Sequence, residues 1–216
     1  MIPDILIDGI SMVRRGWIRE SIDFPIPKPQ TETVVVPGRN SPIRFTEALG
    51  SISYEPRAFT VVLSMLGTRD KFNEMIKAAA NEFTGKLATV TCSEEPDLYC
   101  LGTLELSSSY DPISGKGELE IECSDADSFR YHSAVTEVIF SGNGTASLMN
   151  DFMPVVPVVI TTAETKLTWK VGMDTFNKTI SAGTWEIPEL QLANGNNSVK
   201  ITSTGTTTFR YREGCL

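Results

Sequence analysis

The chain has 216 residues, 41% of them hydrophobic and 21% charged, with a formal net charge of −8. That length accommodates one large β domain or two small ones, the apolar content is enough for real cores, and the acidity disfavours nonspecific nucleic-acid binding. No apolar run approaches the ~18 residues that a membrane span needs. The start, MIPDILIDGI, has no basic segment and no small-residue cleavage site, which sets the expectation of synthesis in the cytosol without a secretory leader.

In chain order, Ile5 to Met12 reads as a short strand pair around the turn Asp8-Gly9. Trp17 to Phe24 reads as another strand, closed by Pro25, Pro27 and Pro29, a proline segment that belongs at an edge or in the open. The stretch Val34 to Leu63 then carries three valines into Pro37-Gly38, a charged polar loop, and a strand ending in the apolar run Phe59 to Leu63. This reads as two strands joined by an excursion too long for a tight hairpin, and such loops usually act on something or reach something. A helix is expected over about 69–83, with Thr68 as N-cap, Asp70 in the first turn and Gly85 as the stop. Phe72, Met75, Ile76, Ala79 and Phe83 form its apolar stripe, with Lys71, Glu74 and Lys77 behind.

Lys86 to Cys92 and Leu98 to Ser108 read as strands around the acidic turn at Glu94-Glu95-Pro96-Asp97. Lys116 to Ser124 alternates clearly, with Leu119, Ile121 and Cys123 on one face and Glu118, Glu120 and Glu122 on the other. From Ser133 onward short strands dominate: Val135–Ser141, Val155–Thr162, Lys166–Val171, Thr175–Ser181, Thr184–Ile187, Ser198–Ser203 and Thr206–Arg212. Gly- and Asn-rich breaks at 141–145 and 193–197 separate some of them. The expectation is a mainly β chain in two domains. Residues 1–132 form a β-barrel or sandwich with one packed helix, and residues 133–216 form a small sandwich or jelly roll.

Cys92, Cys100, Cys123 and Cys215 contain no C-x-x-C pair, and with His132 as the one histidine no zinc signature can be assembled. Reduced thiols, no metal and no cofactor are expected. Gly-x-Ser-x-Gly, Walker and dinucleotide glycine patterns are absent, and His132 has no Ser or Cys elbow near it, so no catalytic residue is assigned. The row Glu118, Glu120, Glu122 places carboxylates ~7 Å apart, where each neighbouring pair repels by roughly 0.6 kcal/mol in water. That is tolerable wet and prohibitive dry, so this face meets solvent. A glycosidase pair is disfavoured there, because a catalytic acid needs an apolar setting to raise its pKa. Trp169 and Trp185 raise the question of carbohydrate, but each shares a strand face with aliphatic residues, which favours core packing.

With these residues in place, the whole chain resembles the siphovirus distal tail proteins, a family of phage tail components. The resemblance rests on Val36-Pro37-Gly38-Arg39-Asn40 before the strand ending at Leu63 and the helix. It rests further on Phe140-Ser-Gly-Asn-Gly144 with Pro157-Val-Val-Ile160, and on the closing run Leu192 to Val199 with Thr206 to Tyr211. The chain departs from the family at Ser41-Pro42, where a glycine often follows the turn. What the resemblance implies is a non-enzymatic virion part. Its tail-tube-like first domain would build a hexameric ring, and its galectin-like or otherwise sandwich-like second domain would project outward. The implied partners are further copies of the chain, the tail tube protein, a tail-tip protein and, as a candidate, host surface carbohydrate. A tail tube protein and a carbohydrate-binding adhesion module are the alternative readings. Under the ring reading, Pro37, Gly38, Arg39, Asn40 and Arg44 are subunit-interface candidates. Arg39 and Arg44 would meet the acids between Ser93 and Asp127, while Glu118, Glu120 and Glu122 would line the channel.

Overall fold

The computed structural model describes residues 2–45 and 52–216. The chain divides into two units, Met1–Arg130 and Tyr131–Leu216. The first contains β1 (Ile5–Ile7), β2 (Ile10–Ser11), β3 (Ile18–Asp23), β4 (Glu32–Val34), β5 (Ile43–Phe45), β6 (Arg57–Leu66), α1 (Arg69–Phe83), β7 (Leu87–Cys92), β8 (Leu98–Thr103), β9 (Glu105–Asp111) and β10 (Lys116–Ala126). One sheet runs β2-β1-β7-β8 and a second runs β3-β6-β10-β9. Alternation along β6 and β10 turns Phe59, Val61, Leu63, Leu119, Ile121 and Cys123 into a common core with Ile5, Ile7 and Val90 of the first sheet.

Helix α1 closes that core. Thr68 Oγ1 accepts from the Lys71 N–H at 3.4 Å, and Gly85, with φ of +71°, takes the chain out of the helix. Phe72, Ala79 and Phe83 are buried, and Met75 and Ile76 pack against the same core. Phe72 lies edge-on to Trp17 at 6.4 Å and beside Tyr110 at 5.2 Å. The expected stripe is the one that packs.

The run Leu98 to Ser108, read from sequence as one strand, is two strands in different sheets. It bends at Leu104, which is fully buried and exchanges backbone hydrogen bonds with the helix exit: its N–H donates to the Lys86 carbonyl at 3.2 Å, and its carbonyl accepts from the Gly85 N–H at 2.8 Å. Gly102, two residues before the corner, is the available signal: a Cβ there would stand 2.4 Å from the Cys123 sulfur, and a glycine inside a strand often marks a bend or a close approach.

The chain passes from the first unit into the second along β11 (Arg130–His132). Then follow β12 (Thr136–Ser141), β13 (Gly144–Asn150), β14 (Val158–Thr161), β15 (Thr165–Val171), β16 (Asp174–Ile180), β17 (Gly183–Glu186), β18 (Gly195–Ser203), β19 (Thr206–Tyr211) and β20 (Gly214–Cys215). Two four-stranded antiparallel sheets, β12-β19-β14-β17 and β13-β18-β15-β16, make a sandwich. Its core holds Leu148, Val159, Leu167, Trp169, Ile201 and Phe209. Strand β13 has no counterpart among the strands read from sequence. Its glycine, threonine, alanine and serine look like loop, yet Ala146, Leu148 and Asn150 alternate inward. The expected break at 193–197 belongs partly to β18, where Asn197 donates its amide to the Ala193 carbonyl at 2.8 Å.

Candidate functional site

The excursion that opens in the stretch Val34–Leu63 is a ribbon. Strands β4 and β5 pair antiparallel, Glu32 opposite Phe45 and Val34 opposite Ile43. Nearer the body the limbs stay together, with the Gln30 N–H on the Ser53 carbonyl and the Glu55 N–H on the Lys28 carbonyl, both at 2.8 Å. The result is an arm of two limbs rather than a loose loop. Residues 46–51 within it lie outside the described residues. Its tip turns at Val36-Pro37-Gly38-Arg39: the Arg39 N–H donates to the Val36 carbonyl at 3.1 Å and Gly38 has φ of +84°. Proline then glycine at the two central positions is the requirement of a type II turn. Every residue from Gln30 to Pro42 is exposed. Val35 is 77% exposed, with Val34 and Val36 also in the open. Of the interface candidates, Pro37, Gly38, Arg39 and Asn40 sit at this tip; Arg44 lies in β5, its side chain outside the described residues.

The root of the arm is fixed by a buried cation. Arg57 is 2% exposed, and its guanidinium donates to the Pro25 carbonyl at 2.6 Å and to the Ser128 carbonyl at 3.2 Å. The Ser128 hydroxyl donates in turn to the carbonyls of Tyr54 and Glu55 on the returning limb, and the Tyr54 ring meets Phe129 edge-on at 5.7 Å. Sequence reasoning missed Arg57. An arginine heading an otherwise apolar strand was the available signal, because such a charge is buried only when hydrogen-bonded.

The three channel candidates share one face of the sheet β3-β6-β10-β9, opposite to the face that carries α1. Glu122 stands between Thr60 and Glu105, Glu120 between Val62 and Ser107, and Glu118 between Ser64 and Ser109. Lys116 ends the row, its ammonium 2.7 Å from Glu118 and 2.8 Å from Glu20. That ammonium also holds the Glu20 carboxyl below the usual carboxylate range, with Ser64 helping. Glu122 directly opposite Glu105 is a like-charge cross-strand pair, stable only where water screens it. The face is a wet floor of carboxylates and hydroxyls. The sheet's outer strands, β3 and β9, have no further strand partner among the described residues. On β9 the segment from Leu106 to Tyr110 carries neither a charge nor a proline to guard its open edge.

The acids expected to receive Arg39 and Arg44 are largely engaged within the unit. Glu94 pairs with Arg19, whose guanidinium holds the carboxyl at about 2; Glu95 pairs with Arg130. Asp125 accepts from the Thr103 N–H, and Asp111 from the N–H groups of its own turn. In the second unit His132 lies 3.1 Å from Asp151. Trp169 is core, stacked on Phe176 at 5.7 Å, its indole N–H donating to the Glu189 carbonyl. Trp185 departs from the expectation of core packing: on the edge strand β17 it is left 37% exposed, its N–H donating to the Ser181 carbonyl.

Burial pushes the Cys92 thiol up to about 12 and Cys123 to about 11. Among the described residues no group of His, Cys, Asp and Glu converges as a metal site, and no helix is long and apolar enough to cross a membrane.

No protein-family profile matches the chain, and no curated protein matches it in sequence. Among solved structures it is similar to the SPP1 Dit (gp 19.1) protein, described as a paradigm of the hub adsorption apparatus in phages that infect Gram-positive bacteria. The likeness has a TM-score of 0.71 at 13% identity and covers 100% of each chain. At that identity the shared property is the fold.

Proposed function

We propose that this chain is a structural component of a phage tail, a distal tail protein whose first unit assembles copies into a ring at the end of the tail tube. The observation that carries this reading is the full-length likeness in fold to the SPP1 Dit protein, both units included. A tube protein, the nearest alternative, would ordinarily lack the second sandwich. The first unit supplies what a ring needs. Among the described residues it has two open sheet edges, and the arm carries valines that these residues leave exposed. An isolated two-stranded ribbon is marginal in water, so the arm gains its stability by docking. Ring symmetry is taken as six-fold on the resemblance alone. The tail tube protein and a tail-tip protein are the neighbours this role requires, and the virion tail is its location. Native mass measurement of the purified protein tests the assembly. A closed oligomer is expected, and a monomer persisting at high concentration would overturn the reading.

In such a ring the face bearing Glu118, Glu120 and Glu122 lines the channel, where fixed carboxylates repel DNA phosphates and keep them from adhering. Reversing all three to lysine in an assembled phage is expected to slow or arrest DNA ejection while leaving the first unit folded. Unchanged assembly together with unchanged ejection would remove these residues from the channel wall.

The carbohydrate-binding alternative for the second unit depends on one observation, the partly exposed ring of Trp185. A glycan array on the full chain checks it. Specific binding that Trp185→Ala abolishes without unfolding the protein would favour that reading over a purely structural second unit.

A further inference from the structure

In the second unit, the outer face of the sheet β13-β18-β15-β16 carries charge of one sign. Alternation sends Leu148, Leu167, Trp169, Val199 and Ile201 into the sandwich, so Lys200 on β18 and Lys166 and Lys170 on β15 point to solvent, all three exposed. Register brings them together. Lys200 stands directly opposite Thr168, and Thr168 separates the other two, so the three lysine Cα atoms lie within ~7 Å of that threonine. No acid answers them. Apart from the lysines, the outward positions on the four strands are Ser, Thr and Asn, with Met149 at one end. None of the three makes an ion pair among the described residues, whereas Lys178, of opposite parity on β16, reaches Glu189 at 3.9 Å. The other sheet mixes its signs: Glu137 stands opposite Arg210, and Glu186 lies in the same cross-strand row. On a chain of net charge −8, an uncompensated positive face is a local exception.

The composition of the face selects among anions. Protein interfaces are anchored by aromatic and large apolar side chains and are depleted in lysine, and single-stranded nucleic acid is held by bases stacked on aromatic rings. This face has no aromatic residue. Lysine ammoniums are compact point charges suited to phosphate oxygens, and the hydroxyls and amides around them suit a polyol. The Thr168 hydroxyl donates to the Asn177 side-chain oxygen at 2.7 Å, which holds the centre of this polar floor in place. We infer that the face binds a hydrophilic phosphodiester polymer, a chain of polyol units joined by phosphates, with Lys166, Lys170 and Lys200 on phosphate oxygens and the neighbouring hydroxyls on the polyol. The site is separate from the Trp185 edge, which belongs to the other sheet, and it stands whether or not the first unit forms a ring.

Titration of the full chain onto immobilised synthetic poly(glycerol phosphate) tests the site. Binding is expected at roughly 0.15 M salt. The logarithm of affinity should fall against the logarithm of salt with a slope of about −2 to −3, as three phosphate contacts require. Changing Lys166, Lys170 and Lys200 together to glutamine is expected to weaken binding at least about tenfold and to flatten that slope, while arginine at the same three positions keeps it. Lys178→Gln should change nothing. All of these positions are exposed, so thermal unfolding should match wild type; Lys200→Gln alone provides a milder variant and should reduce the slope by about one. A wild type that does not bind, or a triple glutamine variant that binds as wild type does, would overturn the site. Poly-L-glutamate, oligo(dT) and duplex DNA serve as competitors and are expected to displace the polymer only weakly at equal charge concentration. Displacement by poly-L-glutamate as effective as by free poly(glycerol phosphate) would reassign the face to an acidic protein, and by either DNA to nucleic acid, overturning the polyol phosphate.

Discussion

Replacing Gly117 with valine is expected to unseat α1 and to lower the stability of the first unit by about 3 kcal/mol or more. Gly117 lies on the core-facing side of β10, and a Cβ there would stand 2.2 Å from Cδ2 of the Phe72 ring. The ring has nowhere to go. It is 5% exposed, with Trp17 against it edge-on and Tyr110 beside it, and the Tyr110 hydroxyl is tied to the Gly67 carbonyl at 2.9 Å. The helix must therefore lift or the strand must bow. Even Gly117→Ala should be clearly destabilising in urea or thermal unfolding, and shrinking the obstacle with Phe72→Leu should restore part of the loss. An alanine variant as stable as wild type would show that Phe72 is not seated there.

The second large effect is expected at Arg57. Arg57→Met keeps most of the side-chain length but removes the donors to the Pro25 and Ser128 carbonyls, costing about 3 kcal/mol, since hydrogen bonds to a charged group are worth about 1.5–3 kcal/mol and buried acceptors left unpaired add to this. Its distinctive consequence is local. Both limbs of the arm lose their anchor, so trypsin should cleave after Arg39 and Arg44 faster than in wild type, under conditions where the rest of the unit resists. Ser128→Ala, which removes only the hydroxyl bonds to Tyr54 and Glu55, should show the same pattern more weakly. Unaltered cleavage in both variants would separate Arg57 from the arm.

The helix was readable because three independent signals coincide: the Thr68 cap, the apolar stripe from Phe72 to Phe83 and the stop at Gly85. Strand β10 was readable because one face is dry and the other wet, so its residues alternate without exception from Glu118 to Cys123. The arm was legible only as something extended. Both of its faces are exposed, so no alternation pairs its limbs, and the connection 35–42 exceeds the short turns whose residue types announce a hairpin. Arg57 was passed over because a charge at the head of RAFTVVLSML reads as an ordinary exposed strand end, whereas its burial is made by carbonyls distant in sequence. Trp185 shows the converse error. Its pairing with Ile187 by alternation is sound, but alternation says nothing about which strand lies at a sheet's edge, and β17 does.

The corner at Leu104 has a mechanical meaning. Because β8 and β9 are one continuous backbone divided between two sheets, the sheets of the first unit cannot slide past one another without stretching covalent chain or breaking the bonds of Leu104 to Lys86 and Gly85. Those same bonds tether the exit of α1. Shear applied to one sheet is thus delivered to the other and to the helix together. In a ring of the proposed kind, stiffness in shear would matter as much as equilibrium stability, because a channel keeps its bore only while its wall segments keep their shape.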